Sequence, residues 1–194
     1  MNPSAFSTLM AGTNCNAAIV ASSPAYDEIL HEVTDHARAT NSIGKADVGA
    51  LLFWKRLRAD TPWVSELMIM NDSEVRAITA KTMLDVRDES PSVPKAARAG
   101  RRALSPLPGF QSGDALASAL LFAAAPDRMA VHDRPAHAGL MELGLPLSNA
   151  RGRYGRYMLL VEDLREAATK RGHCWSARDV DLALYQLGGK IPRP

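Results

Sequence analysis

A carboxylate at the opening of a helix and a tight turn one helix earlier carry this chain's clearest chemical potential. The carboxylate is Asp133, in Val131-His132-Asp133-Arg134-Pro135. Aspartate just ahead of an early proline is N-cap chemistry, because the side chain takes an unpaired amide and proline sacrifices none. The positive end of a helix keeps such a carboxylate ionised. An ionised carboxylate can stabilise a developing cation or take a proton from water. The turn is Leu107-Pro108-Gly109-Phe110-Gln111-Ser112-Gly113-Asp114. Pro108 has no amide hydrogen and Gly109 admits a positive φ, so no helix runs through it. Its amides, with the positive end of the next helix, can hold a backbone phosphate without reading sequence. Each feature also has a plain structural reading, a helix cap and a helix-helix connection.

Leu107-Pro108-Gly109-Phe110, the apolar run from Ala115 to Ala125 and Val131-His132-Asp133 together define a longer pattern. It resembles the helix-hairpin-helix and following aspartate of the helix-hairpin-helix DNA glycosylases. That superfamily includes the 8-oxoguanine, adenine and 3-methyladenine glycosylases. Its pattern is Leu-Pro-Gly-apolar-Gly, an apolar helix, then an extended Val-x-Asp. The chain departs from it at Gln111, where the family has a second glycine, and at Gly113, where bifunctional members carry a Schiff-base lysine. It looks like a short, divergent, bacterial-type member. The iron-sulfur cysteines of some relatives and an extra N-terminal sheet are missing.

The resemblance implies a two-lobed, all-α fold with a cleft between the lobes. It implies that Asp133 faces the anomeric carbon of an extruded nucleotide and that the N-glycosidic bond is hydrolysed to leave an abasic site. With glycine at 113, it implies a monofunctional enzyme with little strand cleavage. No lysine elsewhere, Lys81 included, is tied to that point by the sequence. The partner implied is double-stranded DNA containing a modified base, bound by a monomer without cofactor or metal. Two substrate classes stay open: bulky modified bases of invading phage DNA, and oxidised or alkylated bases in the cell's own DNA. Rivals of other classes are a non-catalytic helix-hairpin-helix DNA-binding protein and a helical protein-interaction domain.

Candidates for the DNA backbone are Leu107, Gly109, Gln111 and Gly113 in the turn, with Arg101, Arg102 and Arg134 beside it. Lys95, Arg98, Arg128, Arg151, Arg153 and Arg156 extend the basic set. An extruded base needs a stacking pocket. Trp54, Trp63, His132, Tyr154, Tyr157 and Trp175 are its candidates, although such residues are also ordinary core.

The elements that must position these groups read as helices. Ser23-Pro24 opens one from Ala25 to Thr40, and a second, near Asp47, carries Val48, Leu51, Leu52, Trp54 and Leu57 inward with Lys55, Arg56 and Arg58 on its wet side. Thr61-Pro62 and Asn71-Asp72 open two more. Asp88 to Pro94 is a proline-serine break that reads as the lobe boundary. The helix-hairpin-helix then spans residues 95–125. Arg134 to Leu143, Tyr157 to Lys170 and a last helix capped by Ser176 with Asp179 complete the chain. Residues 23–194 read as one helical domain behind a mobile tail of residues 1–22. Almost nothing reads as strand, and the helices number nine or ten.

Composition sets wide bounds. Apolar residues make up 46% and charged residues 23%, ordinary values for a globular protein. A net charge of +2 does not announce nucleic acid, so any basic surface must be local. Cys15 and Cys174 make no metal spacing, and free thiols in a reducing cytoplasm are the expectation. No apolar run reaches membrane-spanning length.

Overall fold

A computed structural model describes residues 7–10 and 24–189. Among these residues every regular element is helical, as the sequence predicts. A 3-10 turn, Pro24–Asp27, leads into α1 (Glu28–Thr40), α2 (Lys45–Trp54), α3 (Pro62–Ile69), α4 (Asp72–Arg87) and α5 (Val93–Ala103). These are followed by α6 (Ala115–Ala124), α7 (Arg134–Glu142), α8 (Arg153–Thr169) and α9 (Ala177–Gly189). No described helix is long and apolar enough to cross a membrane.

The centre is α6. Every residue from Leu116 to Ala124 is buried, and the helix packs against α1, α2, α4 and α5. A helix that is apolar on all sides must be enclosed on all sides, and its alanines let four neighbours approach. The buried apolar side chains form one cluster that runs from Leu9 and Leu30 to Leu184, across the 88–94 break. Leu9, inside the stretch read as a mobile tail, is fully buried on a helical turn of residues 7–10. The rest of residues 1–22 lies outside the described residues.

Helix openings follow the expected chemistry, with shifts that have local causes. Proline sits in the first turn of α3, α5 and α7. The last of the break's prolines, Pro94, therefore belongs to α5, which starts at Val93 rather than Lys95. Gly152, at φ 84°, turns the chain into α8, so Arg153 and Tyr154 are already helical. Ahead of α9, Asp179 Oδ2 accepts the Ser176 amide at 2.8 Å while Ser176 Oγ accepts the Asp179 amide at 3.1 Å. This is the reciprocal capping box read from the sequence.

Helices α7 and α9 cross at backbone contact. A Cβ on Gly139 would strike the Leu184 carbonyl, and one on Gly188 would strike the Pro135 carbonyl. Neither obstacle is a side chain that can swing away. Gly188→Ala is therefore expected to lower unfolding free energy by about 1–3 kcal/mol in urea titrations. Gly49→Ala, exposed in mid-α2 with nothing within 4 Å of its Cβ position, should instead raise it by about 0.5–1 kcal/mol. Equal effects at the two positions would show that the close crossing is unimportant.

Candidate functional site

Asp133, itself in extended backbone, ends a stretch without regular structure, residues 129–133, which lies between α6 and α7. Four buried side chains hold its backbone. Tyr154 OH donates to the Ala130 carbonyl at 2.9 Å, and Tyr157 OH donates to that of Val131 at 2.9 Å. Ser118 Oγ, on α6, accepts the His132 amide at 2.8 Å, and Asp181 Oδ2, on α9, accepts the Val131 amide at 2.7 Å. Burial in the first place, and then the charge of Asp181, push both tyrosine hydroxyls well above their ordinary range, so they stay protonated donors.

Asp133 is the N-cap of α7, as read from the sequence: its Oδ1 accepts the Ala136 amide at 3.0 Å. Its second oxygen lies 2.5 Å from Lys55 Nζ, at the C-terminal end of α2, and the two side chains are 12% and 11% exposed. The Lys55 ammonium also stands 5.1 Å from the Trp54 ring centroid. Trp54 Nε1 donates to Asp27 Oδ1 at 3.2 Å, and Asp27 Oδ2 accepts Arg178 Nη2 at 2.7 Å. Arg178 Nη1 donates to Asp181 Oδ1 at 2.8 Å, which closes the circuit back to Val131 and Asp133. Two cations and three carboxylates, drawn from regions far apart in the chain, thus form one ring around Trp54.

Spacing gave no warning of Lys55, whose partner is 78 residues away. Its position on the polar side of α2 is as expected; that this side meets α7 is not readable locally. Asp181 did leave a signal. Ala177, Val180, Asp181, Leu184 and Gly188 are all buried on α9, so the helical period turns this aspartate inward with them.

A second polar cluster organises the hairpin. Gly109 (φ 82°) and Gly113 (φ 73°) adopt the left-handed conformation that the turn requires. Arg101 Nη1 donates to the Phe110 carbonyl at 2.7 Å, Nη2 to that of Gly113 at 2.7 Å, and Nε to Asp114 Oδ1 at 3.0 Å. Three of the five Arg101 N–H donors are thereby engaged inside the hairpin. The Leu107 side chain is fully buried and its amide donates to the Leu104 carbonyl at 3.0 Å. Gln111 and Gly113 are exposed at the corner, as are Arg102 and Arg134. Trp63 lies against the Cα of Gly109 and leaves no room there for a Cβ.

The predicted base-pocket residues divide. Tyr154 and Tyr157 are core, 1% and 0% exposed, and their hydroxyls are spent on backbone, so they line no open pocket. His132 is buried against Tyr157 at 4.6 Å between centroids, and its Nδ1 lies 3.6 Å from Asp114 Oδ2, just beyond hydrogen-bond distance. Trp54 is buried behind Lys55, Trp63 covers the hairpin, and Trp175 packs on the core ahead of α9. A surface groove of about 530 Å³ between α4 and α5 is lined by Lys81, Asp85, Arg102 and Pro106, away from Asp133. Among the described residues no group of three or more His, Cys, Asp or Glu could hold a metal ion. Cys174 is an exposed free thiol; Cys15 lies outside the described residues.

No protein-family model, curated protein or solved structure matches this chain. The functional reading therefore stands on the geometry of its residues.

Asp114, buried at the start of α6, ties the two clusters together. Arg153 Nε donates to its Oδ2 at 2.6 Å, and His132 Nδ1 lies 3.6 Å from the same oxygen. Burial opposes ionisation, but His132, Arg153 and Arg101 outweigh it and hold the carboxyl far below the usual range. A depressed carboxylate stabilises the fold above its unfolded-state pKa, and that stabilisation is lost as pH falls below it. The wild type should lose unfolding free energy as pH drops from about 5 to about 2, and Asp114→Asn should lose distinctly less. Parallel pH profiles for the two proteins would remove Asp114 from this role.

Proposed function

We propose that the chain is a DNA glycosylase that extrudes a modified base and hydrolyses its N-glycosidic bond, leaving an abasic site. One observation carries this reading. A carboxylate pinned at a helix start, on backbone held by four buried side chains, stands 2.5 Å from an amine. Such a carboxylate is preorganised for a cation that develops next to it. As the bond between C1′ and the base breaks, its electrons leave with the base and positive charge grows on the sugar. Asp133 stabilises that charge and accepts a proton from the water that adds to C1′. The exposed corner at Gln111 and Gly113, one helix earlier, suits a backbone phosphate, and the exposed Arg102 and Arg134 suit its neighbours. In this reading the nucleotide enters a cleft between two lobes of a monomer. The substrate is a modified base, of invading phage DNA or, alternatively, an oxidised or alkylated base of the cell's own genome.

Lys55 favours a second reading in which the same site also cleaves the strand. After passing its proton to Asp133, the amine attacks C1′ and displaces the base. The sugar ring then opens to an imine, from which the 3′ phosphate is eliminated. Gly113 alone argues for hydrolysis; Lys55 supplies from α2 the amine that the hairpin lacks.

Genomic DNAs that differ in base modification, incubated with the protein and assayed for abasic sites, test the main reading. Asp133→Asn should bind DNA as the wild type does but release base at least about 100-fold more slowly. Unchanged release would end the catalytic role. Borohydride added to a duplex with a natural abasic site separates the two chemistries. A covalent adduct that disappears in Lys55→Met supports strand cleavage, and abasic sites without adduct support hydrolysis alone.

A further inference from the structure

The modest net charge of +2 is gathered in places, and one gathering has no counter-charge. Helix α8 begins with Arg151, Gly152, Arg153 and Arg156 in close succession, against Arg98 of α5. Gly155 permits the approach: a Cβ there would crowd the Pro94 carbonyl at 3.0 Å and the Arg98 Cβ at 3.2 Å. The four arginines differ in what they bond. Arg153 is spent on Asp114 and on Asn149 Oδ1, the latter at 2.8 Å. Arg156 donates to the carbonyls of Ser148, Ala150 and Arg151, so its charge meets dipoles rather than a carboxylate. Arg98 and Arg151 are exposed, and among the described residues neither side chain has a hydrogen bond or an ion pair. Asp114 is the one carboxylate paired with any of the four among those residues, and Arg101 already shares it.

The charges meet above Gly152. A Cβ on this residue would lie 3.4 Å from Arg98 Nε and 3.7 Å from Arg156 Nη1. The φ of 84° by itself favours glycine; the convergence of two guanidinium groups from different helices on the space beside it is a separate fact. Like charges that close repel. An anion between them relieves the repulsion and accepts charge-assisted hydrogen bonds from both. The planar fork of a guanidinium matches phosphate oxygens in particular. From Arg98 the basic face continues along α5, where Lys95, Arg98 and Arg102 share one exposed side and Arg102 stands about 6 Å further towards the hairpin.

We propose that Arg98, Arg151 and Arg156 form a phosphate-binding site above Gly152, separate from the hairpin corner. The phosphate group belongs to a nucleic-acid backbone or to a free phosphate ion. That DNA supplies it rests on the base-excision reading; the site itself does not.

Two paired variants of the full-length protein test it. Arg98→Gln with Arg151→Gln removes two charges that make no bond within the fold, and Arg38→Gln with Lys170→Gln removes two exposed charges elsewhere. An unmodified duplex is titrated by fluorescence anisotropy from about 50 mM to about 200 mM NaCl. Loss of Arg98 and Arg151 should weaken binding on every sequence and reduce the slope of log K against log salt by about 1, and the control pair should change it by less than about half as much. Unfolding midpoints are compared in sodium phosphate and NaCl at equal ionic strength. A midpoint about 2 °C or more higher in phosphate, for the wild type and not for the Arg98 and Arg151 variant, identifies free phosphate as a ligand. A reduced slope without that rise identifies the DNA backbone. An unchanged slope together with no phosphate effect overturns the proposal. A wild type that binds duplex but releases no base sinks the base-excision reading and leaves the slope to decide the site; one that binds no duplex leaves the phosphate comparison to decide it.

Discussion

The fold depends on a closed circuit of charge. From Val131 it runs through Asp181, Arg178, Asp27, Trp54 and Lys55 to Asp133, and so joins α9, the 3-10 turn, α2 and the start of α7. Each pair is largely out of water, so its attraction is offset by desolvation. Breaking any one of them, however, strands a charge that the interior cannot solvate, at a cost of about 3–5 kcal/mol. The circuit thus contributes less to gross stability than to registration. In this arrangement of the chain's distant regions every member is satisfied, and Lys55 meets Asp133.

Backbone placement carries the rest of the design. Two tyrosine hydroxyls, a serine and an aspartate converge on carbonyls and amides of one short segment. In the hairpin, Arg101 does the same by taking two of its carbonyls. Asp114 joins these regions through Arg101, Arg153 and the neighbouring His132. Hairpin and aspartate are set against each other by buried polar side chains, while apolar α6 supplies the volume between them. Loose loops do not position this site.

Much of the fold is legible in the sequence because helix ends have local chemistry. Thr61-Pro62, Ser176 with Asp179, and Asp133 ahead of Pro135 mark helix starts that the structure contains. Gly109 and Gly113 mark the turn, since both need the left-handed region. The site is less legible because its pairings are not local. An arginine beside a turn has the same sequence signature whether it takes a phosphate or, like Arg101, the turn's own carbonyls. A tyrosine on an amphipathic helix looks alike as a pocket wall and as a core donor, and Tyr154 and Tyr157 are donors. Lys55 has the periodicity of a solvated residue; only the docking of α7 against the end of α2 gives it a partner. Asp181 shows the opposite case. Its inward phase on α9 is visible in the period, and its partners are not.

The circuit also ties assembly to the order of translation. Asp27, Trp54 and Lys55 leave the ribosome early and Asp133 much later, yet the clamp on Val131 is supplied by α9, the last of the described helices. A nascent polypeptide that lacks α9 has the tyrosine and serine contacts to this segment but not the Asp181 and Arg178 links that close the circuit. Synthesis of α9 is therefore the step that completes the circuit, and truncated products carry Lys55 and Asp133 without it.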